Sequence, residues 1–160
     1  MPIVLAVLAL TVVIAVVVVE VRTGADFGLG RHGDEWEVIF EDGFDGDELD
    51  TSVWNTCHWW DDGGCTIASN DELEWYLPSQ VTVSDGRLRL TAEKGEVKGS
   101  DGETYPYRSG MVTTGPPAYR EPSRFDFTYG RVEARVRVPD GTGLWSALWL
   151  LPSTSESRPE

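Results

Sequence analysis

Gly130-Arg131-Val132-Glu133-Ala134-Arg135-Val136-Arg137-Val138 is the stretch that decides the fold class. Val132, Ala134, Val136 and Val138 alternate with Arg131, Glu133, Arg135 and Arg137. Successive side chains of a strand point to opposite faces, so a period of two predicts a β-strand with one apolar and one solvated face. The charged row reads as that solvated face, laced with cross-strand ion pairs. Pro139-Asp140-Gly141 then ends the strand with turn-forming residues.

The same pattern extends outward. Gly143 to Leu151 is apolar on both faces, which predicts a central strand. Gln80–Ser84 and Arg87–Ala92 flank Asp85-Gly86, a dipeptide that favours a tight hairpin turn. In the second of these, Leu88, Leu90 and Ala92 face one way and Arg87, Arg89 and Thr91 the other. Trp36-Glu37-Val38-Ile39-Phe40 reads as a first strand. Nothing reads as a long amphipathic helix, and no internal repeat appears. Many short strands separated by Gly, Pro and Asp turns predict an all-β sandwich or barrel.

The 160 residues allow one domain and not two. Thirteen Lys and Arg stand against 27 Asp and Glu, a formal net charge of -14. Such a surface repels nucleic acid and anionic lipid, so no nucleic-acid partner is expected. The acidic residues are scattered, which fits a solubility role. Seven Trp and five Tyr exceed what the core needs and suggest flat amphipathic surfaces that suit sugar rings.

Ile3–Val19 is apolar except for Thr11. As a helix it would span about 25 Å, short for a bilayer core of about 30 Å. The segment 1–22 is therefore expected to be a helical export signal, retained as an anchor or cleaved, and the sole route to a membrane. A buried strand is the alternative, against which stand the lack of alternation and the Gly-rich stretch that follows. Residues 23–35, with four Gly, read as a linker, and the globular part as 36–160. An extracellular or cell-surface location follows. Cys57 and Cys65 support it, because in an oxidising compartment they would pair across the short loop CHWWDDGGC. Zinc is discounted, since His58 alone is near the two thiols.

Four segments taken together resemble glycoside hydrolase family 16, the laminarinase and lichenase group. They are Phe40-Glu41-Asp42-Gly43-Phe44-Asp45-Gly46, Asn70-Asp71-Glu72-Leu73-Glu74-Trp75-Tyr76, Val81-Thr82-Val83-Ser84-Asp85-Gly86-Arg87-Leu88, and Phe127 to Arg135 running on to Gly143-Leu144-Trp145-Ser146-Ala147-Leu148-Trp149-Leu150-Leu151. The resemblance covers nearly everything from Trp36 on. It implies a jelly-roll, concanavalin-like β-sandwich, here its N-terminal part, with a sugar cleft across the concave sheet. It implies hydrolysis of β-1,3 or mixed β-1,3/1,4 glucan with retention, a β-glucan polysaccharide or oligosaccharide as partner, and a monomer. A non-catalytic β-glucan-binding module of the same fold, or an inactive truncated product, is the alternative.

Retention needs two carboxyl groups about 5–5.5 Å apart. The family carries them in a Glu-x-Asp-x-x-Glu pattern shortly after the Trp-rich strand. Glu160 falls where that pattern begins and is assigned the nucleophile's role; Glu156 offers a second alignment. The partner carboxylates have no position in this sequence, so these 160 residues are expected to be inactive. The resemblance places Glu72 on the glycone side of the cleft as a sugar hydrogen-bonding group, with an ion pair to Arg108 as the plainer alternative. Asp71 stands where the family has Asn. Trp145 and Trp149 share a strand face and are expected to floor the cleft, with core packing as the alternative. Arg108 is a further candidate sugar contact. No cofactor and no metal site are expected in this chain. A structural calcium near Glu41 and Asp45 belongs to the full-length domain.

Overall fold

A computed structural model describes residues 10–23, 35–58, 65–118 and 121–152. The strands are β1 (Leu10–Thr23), β2 (Glu35–Asp42), β3 (Glu74–Tyr76), β4 (Val81–Val83), β5 (Leu88–Lys98), β6 (Thr104–Ser109) and β7 (Arg131–Arg137). Single 3-10 turns at Ala68–Asn70 and Pro78–Gln80 are the helical elements among the described residues. The strands form one seven-stranded curled sheet, in keeping with the jelly-roll class.

β1 is the hub of this sheet. Val13 and Ile14 pair with both β5 and β7, and Val17 to Glu20 pair with both β2 and β7. β5 and β2 therefore take successive halves of one edge, and β7 takes the other. This corrects the expected N-terminal helix over residues 10–22, whose backbone is strand. The physical reason is composition: Val and Ile dominate the run, and β-branched side chains favour the pleated backbone. Pairing on both edges places this apolar run inside the sheet. Residues 1–9, and 24–34 of the expected linker, lie outside the described residues. Among the described residues no helix is long and apolar enough to cross a membrane.

The predicted hairpin forms. β4 and β5 pair antiparallel, with Val83 opposite Leu88. Asp85 and Gly86 take φ of 54° and 64°, both left-handed, the conformation that a two-residue hairpin turn requires. Leu88 is fully buried, and Val17, Phe44, Trp54 and Val83 complete the core around it. β5 continues past the predicted end at Ala92 to Lys98, where its second half pairs with β6. β7 matches its expectation in part: Val132 and Ala134 turn inward and Arg131, Glu133, Arg135 and Arg137 are exposed, but Val136 is exposed too and Val138 lies exposed past the strand's end. Arg131 meets Glu133 at 3.6 Å along that face.

The Gly143–Leu151 strand does not form, and the backbone there is irregular. A strand persists only with a neighbour to take its hydrogen bonds. The partner of β7 is β1, and none of the described ladders includes residues 143–151. Trp145, Leu148 and Leu150 are correspondingly exposed.

Candidate functional site

The turn before β3 sets the site. Ala68–Asn70 makes one 3-10 turn, closed by Asp71 at φ 54° and ψ 36° with its N–H on the Ala68 carbonyl at 3.2 Å. Asp tolerates this left-handed conformation better than most residues do. The reversal returns Glu72 toward the preceding loop, where its Oε2 accepts the Ile67 N–H at 2.8 Å. The Thr66 hydroxyl lies 3.5 Å from the same oxygen, and Asn70 also hydrogen-bonds the carboxylate. Half-burial raises the Glu72 pKa above its ordinary value. The Ile67 hydrogen bond opposes that shift, and the charge of Glu74 adds to it.

β3 alternates as a strand must. Trp75 is buried against Tyr105, ring centroids 5.1 Å apart, which leaves Glu74 and Tyr76 on the other face. The strand is held by parallel pairing with β6, Trp75 opposite Arg108. The Tyr76 N–H bonds the Cys65 carbonyl at 2.7 Å. Cys65 is disulfide-bonded to Cys57, as the sequence suggested, so the bridge fastens its loop to β3. Burial pushes the Tyr76 hydroxyl well above its usual range, and the charges of Glu72 and Glu74 push the same way.

Next to Cys57, His58 is buried. It stands edge-on to Tyr76, with centroids 5.9 Å apart and planes at 85°. It stands the same way to Trp149, at 5.9 Å and 69°. Burial pulls its pKa down to about 4, so the imidazole is neutral at physiological pH. Glu72 and Glu74 thus act on Tyr76, and His58 joins Tyr76 to Trp149, an acidic and aromatic series beside the disulfide.

Of the residues named from sequence, Glu72 acts on the Tyr76 end of this series and Trp149 meets its His58 end. Asp71 is exposed at the turn beside Glu72. Trp145 is 94% exposed, against 49% for Trp149. Arg108 bonds Glu93 at 3.1 Å, where the plainer alternative had paired it with Glu72. Gln80 donates to the same Glu93 oxygen at 3.0 Å. Gly95 lets the guanidinium lie across β5, since a Cβ there would fall 2.7 Å from the Arg108 Nε. Glu160 and Glu156 lie outside the described residues, as do Trp59, Trp60, Asp61 and Asp62 of the disulfide loop. Among the described residues no three His, Cys, Asp or Glu side chains gather to hold a metal. A groove of about 610 Å³ runs between Asp47–Leu49 and Val81–Ser84 and is lined by none of these residues. Sequence reasoning missed the part played by His58 and Tyr76. The available signals were the adjacency of His58 to Cys57 and the spacing of Tyr76 two residues from Glu74.

The half-buried carboxylates offer hydrogen-bond acceptors, and the accessible indole of Trp149 offers a flat apolar face. A family model described as beta-glucan synthesis-associated protein SKN1/KRE6/Sbg1 matches residues 11–157, and the chain belongs to that family. The chain is 38% identical over 122 residues to endo-1,3-1,4-beta-glycanase EglC of Rhizobium meliloti (strain 1021), covering 69% of this chain and 24% of that protein. It is 34% identical over 131 residues to glucan endo-1,3-beta-glucosidase A1 of Niallia circulans, covering 74% of this chain and 17% of that protein. The resemblance to glycoside hydrolase family 16 is thereby established. The chain spans about a quarter or less of these relatives' length. No solved structure matches significantly.

Proposed function

We propose that this chain holds β-1,3 or mixed β-1,3/1,4 glucan for a retaining glycoside hydrolase, with Glu72 and Trp149 as its sugar contacts. The observation that carries the reading is a preset carboxylate near Tyr76 and an accessible indole held against His58, with Tyr76 and His58 in ring contact. The Ile67 N–H fixes Oε2 of Glu72, and a carboxylate has about four acceptor positions, so capacity remains for sugar hydroxyls. Trp149 offers an apolar face to a pyranose ring. Asp71, Trp145 and Arg108 are further proposed contacts, and β-glucanase relatives support the substrate class.

Glu160 is the proposed nucleophile of the double displacement. Retention needs a second carboxyl about 5–5.5 Å from the first. Glucan holding without bond cleavage is therefore the activity proposed for these residues alone. No cofactor is invoked, and a structural calcium is proposed only for the full-length domain. The protein is proposed to act as a monomer at or outside the cell surface, which the Cys57–Cys65 bridge favours. Any export role of residues 1–22 precedes folding, before 10–22 enter the sheet. A second reading, a non-catalytic β-glucan-binding module, is favoured by the family's association with glucan synthesis.

Titration calorimetry of the chain with a β-1,3-linked glucose hexamer tests the proposal. Binding should weaken about ten-fold or more in Trp149→Ala, the scale of losing one stacked ring. Glu72→Gln should weaken it also. Equal affinity for the hexamer in wild type and both variants would overturn the reading. Release of reducing sugar from the polymer by the wild-type chain would overturn the binding-only assignment while leaving the substrate class in place.

A further inference from the structure

We propose that His58 is a positioning residue for Trp149, an aromatic wedge that aims the indole at sugar from the disulfide-braced face of β3. This rests on the reading of Trp149 as a sugar contact.

Segment 143–152 has no ladder of its own to orient Trp149. The described ring contact of Trp149 is with His58. His58 is itself fixed from two sides. Covalently, it follows Cys57, whose bridge to Cys65 brings it beside β3. By packing, its ring meets Tyr76 edge-on, and the Tyr76 N–H is bonded to the Cys65 carbonyl. A chain of contacts thus runs from β3 through Tyr76 and His58 to Trp149. Just ahead of β3, Glu72 is placed by the Ile67 N–H. The wedge therefore fixes the indole relative to Tyr76 and β3. Edge-to-face packing suits the purpose, because it constrains ring orientation as well as distance. The neutral imidazole keeps this geometry without bringing a charge into the series.

The test is hexamer binding to four variants of the full chain. His58→Leu keeps the buried volume but removes the aromatic edge, and should weaken binding about 2- to 10-fold, the worth of one aromatic pair. His58→Phe restores the edge and should bind within about two-fold of wild type. Trp149→Ala should lose binding, and the double variant His58→Leu/Trp149→Ala should be no weaker than Trp149→Ala, because one residue acts through the other. An added loss in the double variant overturns the proposal, and so does a Phe variant as weak as the Leu variant. Wild-type affinity in His58→Leu with a weakened Trp149→Ala overturns the positioning role alone. Unchanged binding in Trp149→Ala overturns the sugar-contact reading and this one with it.

Discussion

Trp54 and Asp42 are joined by a hydrogen bond from the indole Nε1 to Oδ2 at 2.7 Å. The other carboxylate oxygen accepts the Phe44 N–H at 2.8 Å, closing a turn in which Phe44 sits at φ 54°. One side chain thereby seats two buried aromatic residues of the core and holds one in a conformation that phenylalanine rarely takes.

Asp42→Ala should destabilise the chain by about 2–3 kcal/mol, because it leaves a buried indole donor unsatisfied and releases the turn. Asp42→Asn retains an acceptor and should cost less. Urea unfolding followed by tryptophan fluorescence measures both. Equal stability of Asp42→Ala and wild type would show that the turn does not depend on this carboxylate.

Glu72 is raised in pKa chiefly by burial. Its ionised form is thus less favourable in the folded than in the unfolded chain. The resulting destabilisation is absent below the unfolded value and grows as pH rises through the raised folded one. Glu72→Gln should therefore melt slightly above wild type at neutral pH, by a degree or two, since the group is only half buried. The gap should close as pH falls through the carboxylate range. The same variant should lose glucan affinity, the usual cost of relieving a functional site. A melting difference that widens toward acid would contradict the assigned direction.

The Cys57–Cys65 bridge closes a short loop, with a sequence separation of 8. Closing a loop of that size contributes about 2–3 kcal/mol through the unfolded state. Replacing both cysteines with Ala should lower stability by that amount. Hexamer binding should weaken as well, because Cys65 accepts the Tyr76 N–H. Paired unfolding and calorimetry, with and without reductant, separate the two effects. Unaltered stability after reduction would show that the loop is fixed by its packing instead.

The strands that sequence made legible are those with one solvated face. The alternation at Arg131–Arg137 is carried by residues adjacent in the chain, and so is the Asp85-Gly86 turn, whose left-handed angles Asp and Gly tolerate. β1 lacks that pattern, and its run of Val and Ile fits a membrane helix as well as it fits a strand paired on both edges. Gly143–Leu151 shows the converse. Its composition suits a central strand, but strand pairing is a property of a partner, which local sequence does not name. At the candidate site, Glu72 and Trp149 were singled out through resemblance to a known family. His58 was not, because its place is set by contacts with Tyr76 and Trp149, which are remote in sequence.

Val17 offers the sharpest test of the sheet. It is buried, and its backbone pairs with Asp42 on one side and Ala134 on the other. Proline removes a ladder N–H and fixes φ near -65°, which a central strand does not tolerate. Val17→Pro should therefore cost about 3 kcal/mol or more. Val17→Ile, which keeps the β-branch, should cost no more than about 1–3 kcal/mol from overpacking. Circular dichroism with urea titration reads both. If Val17→Pro unfolds at the wild-type midpoint, residues 10–23 are not a working strand of the sheet, and the membrane helix expected from their apolar run returns as the better account. If the proline variant loses its cooperative transition, β1 is the strand on which β2, β5 and β7 depend, and removing it would leave each of the three with an open edge.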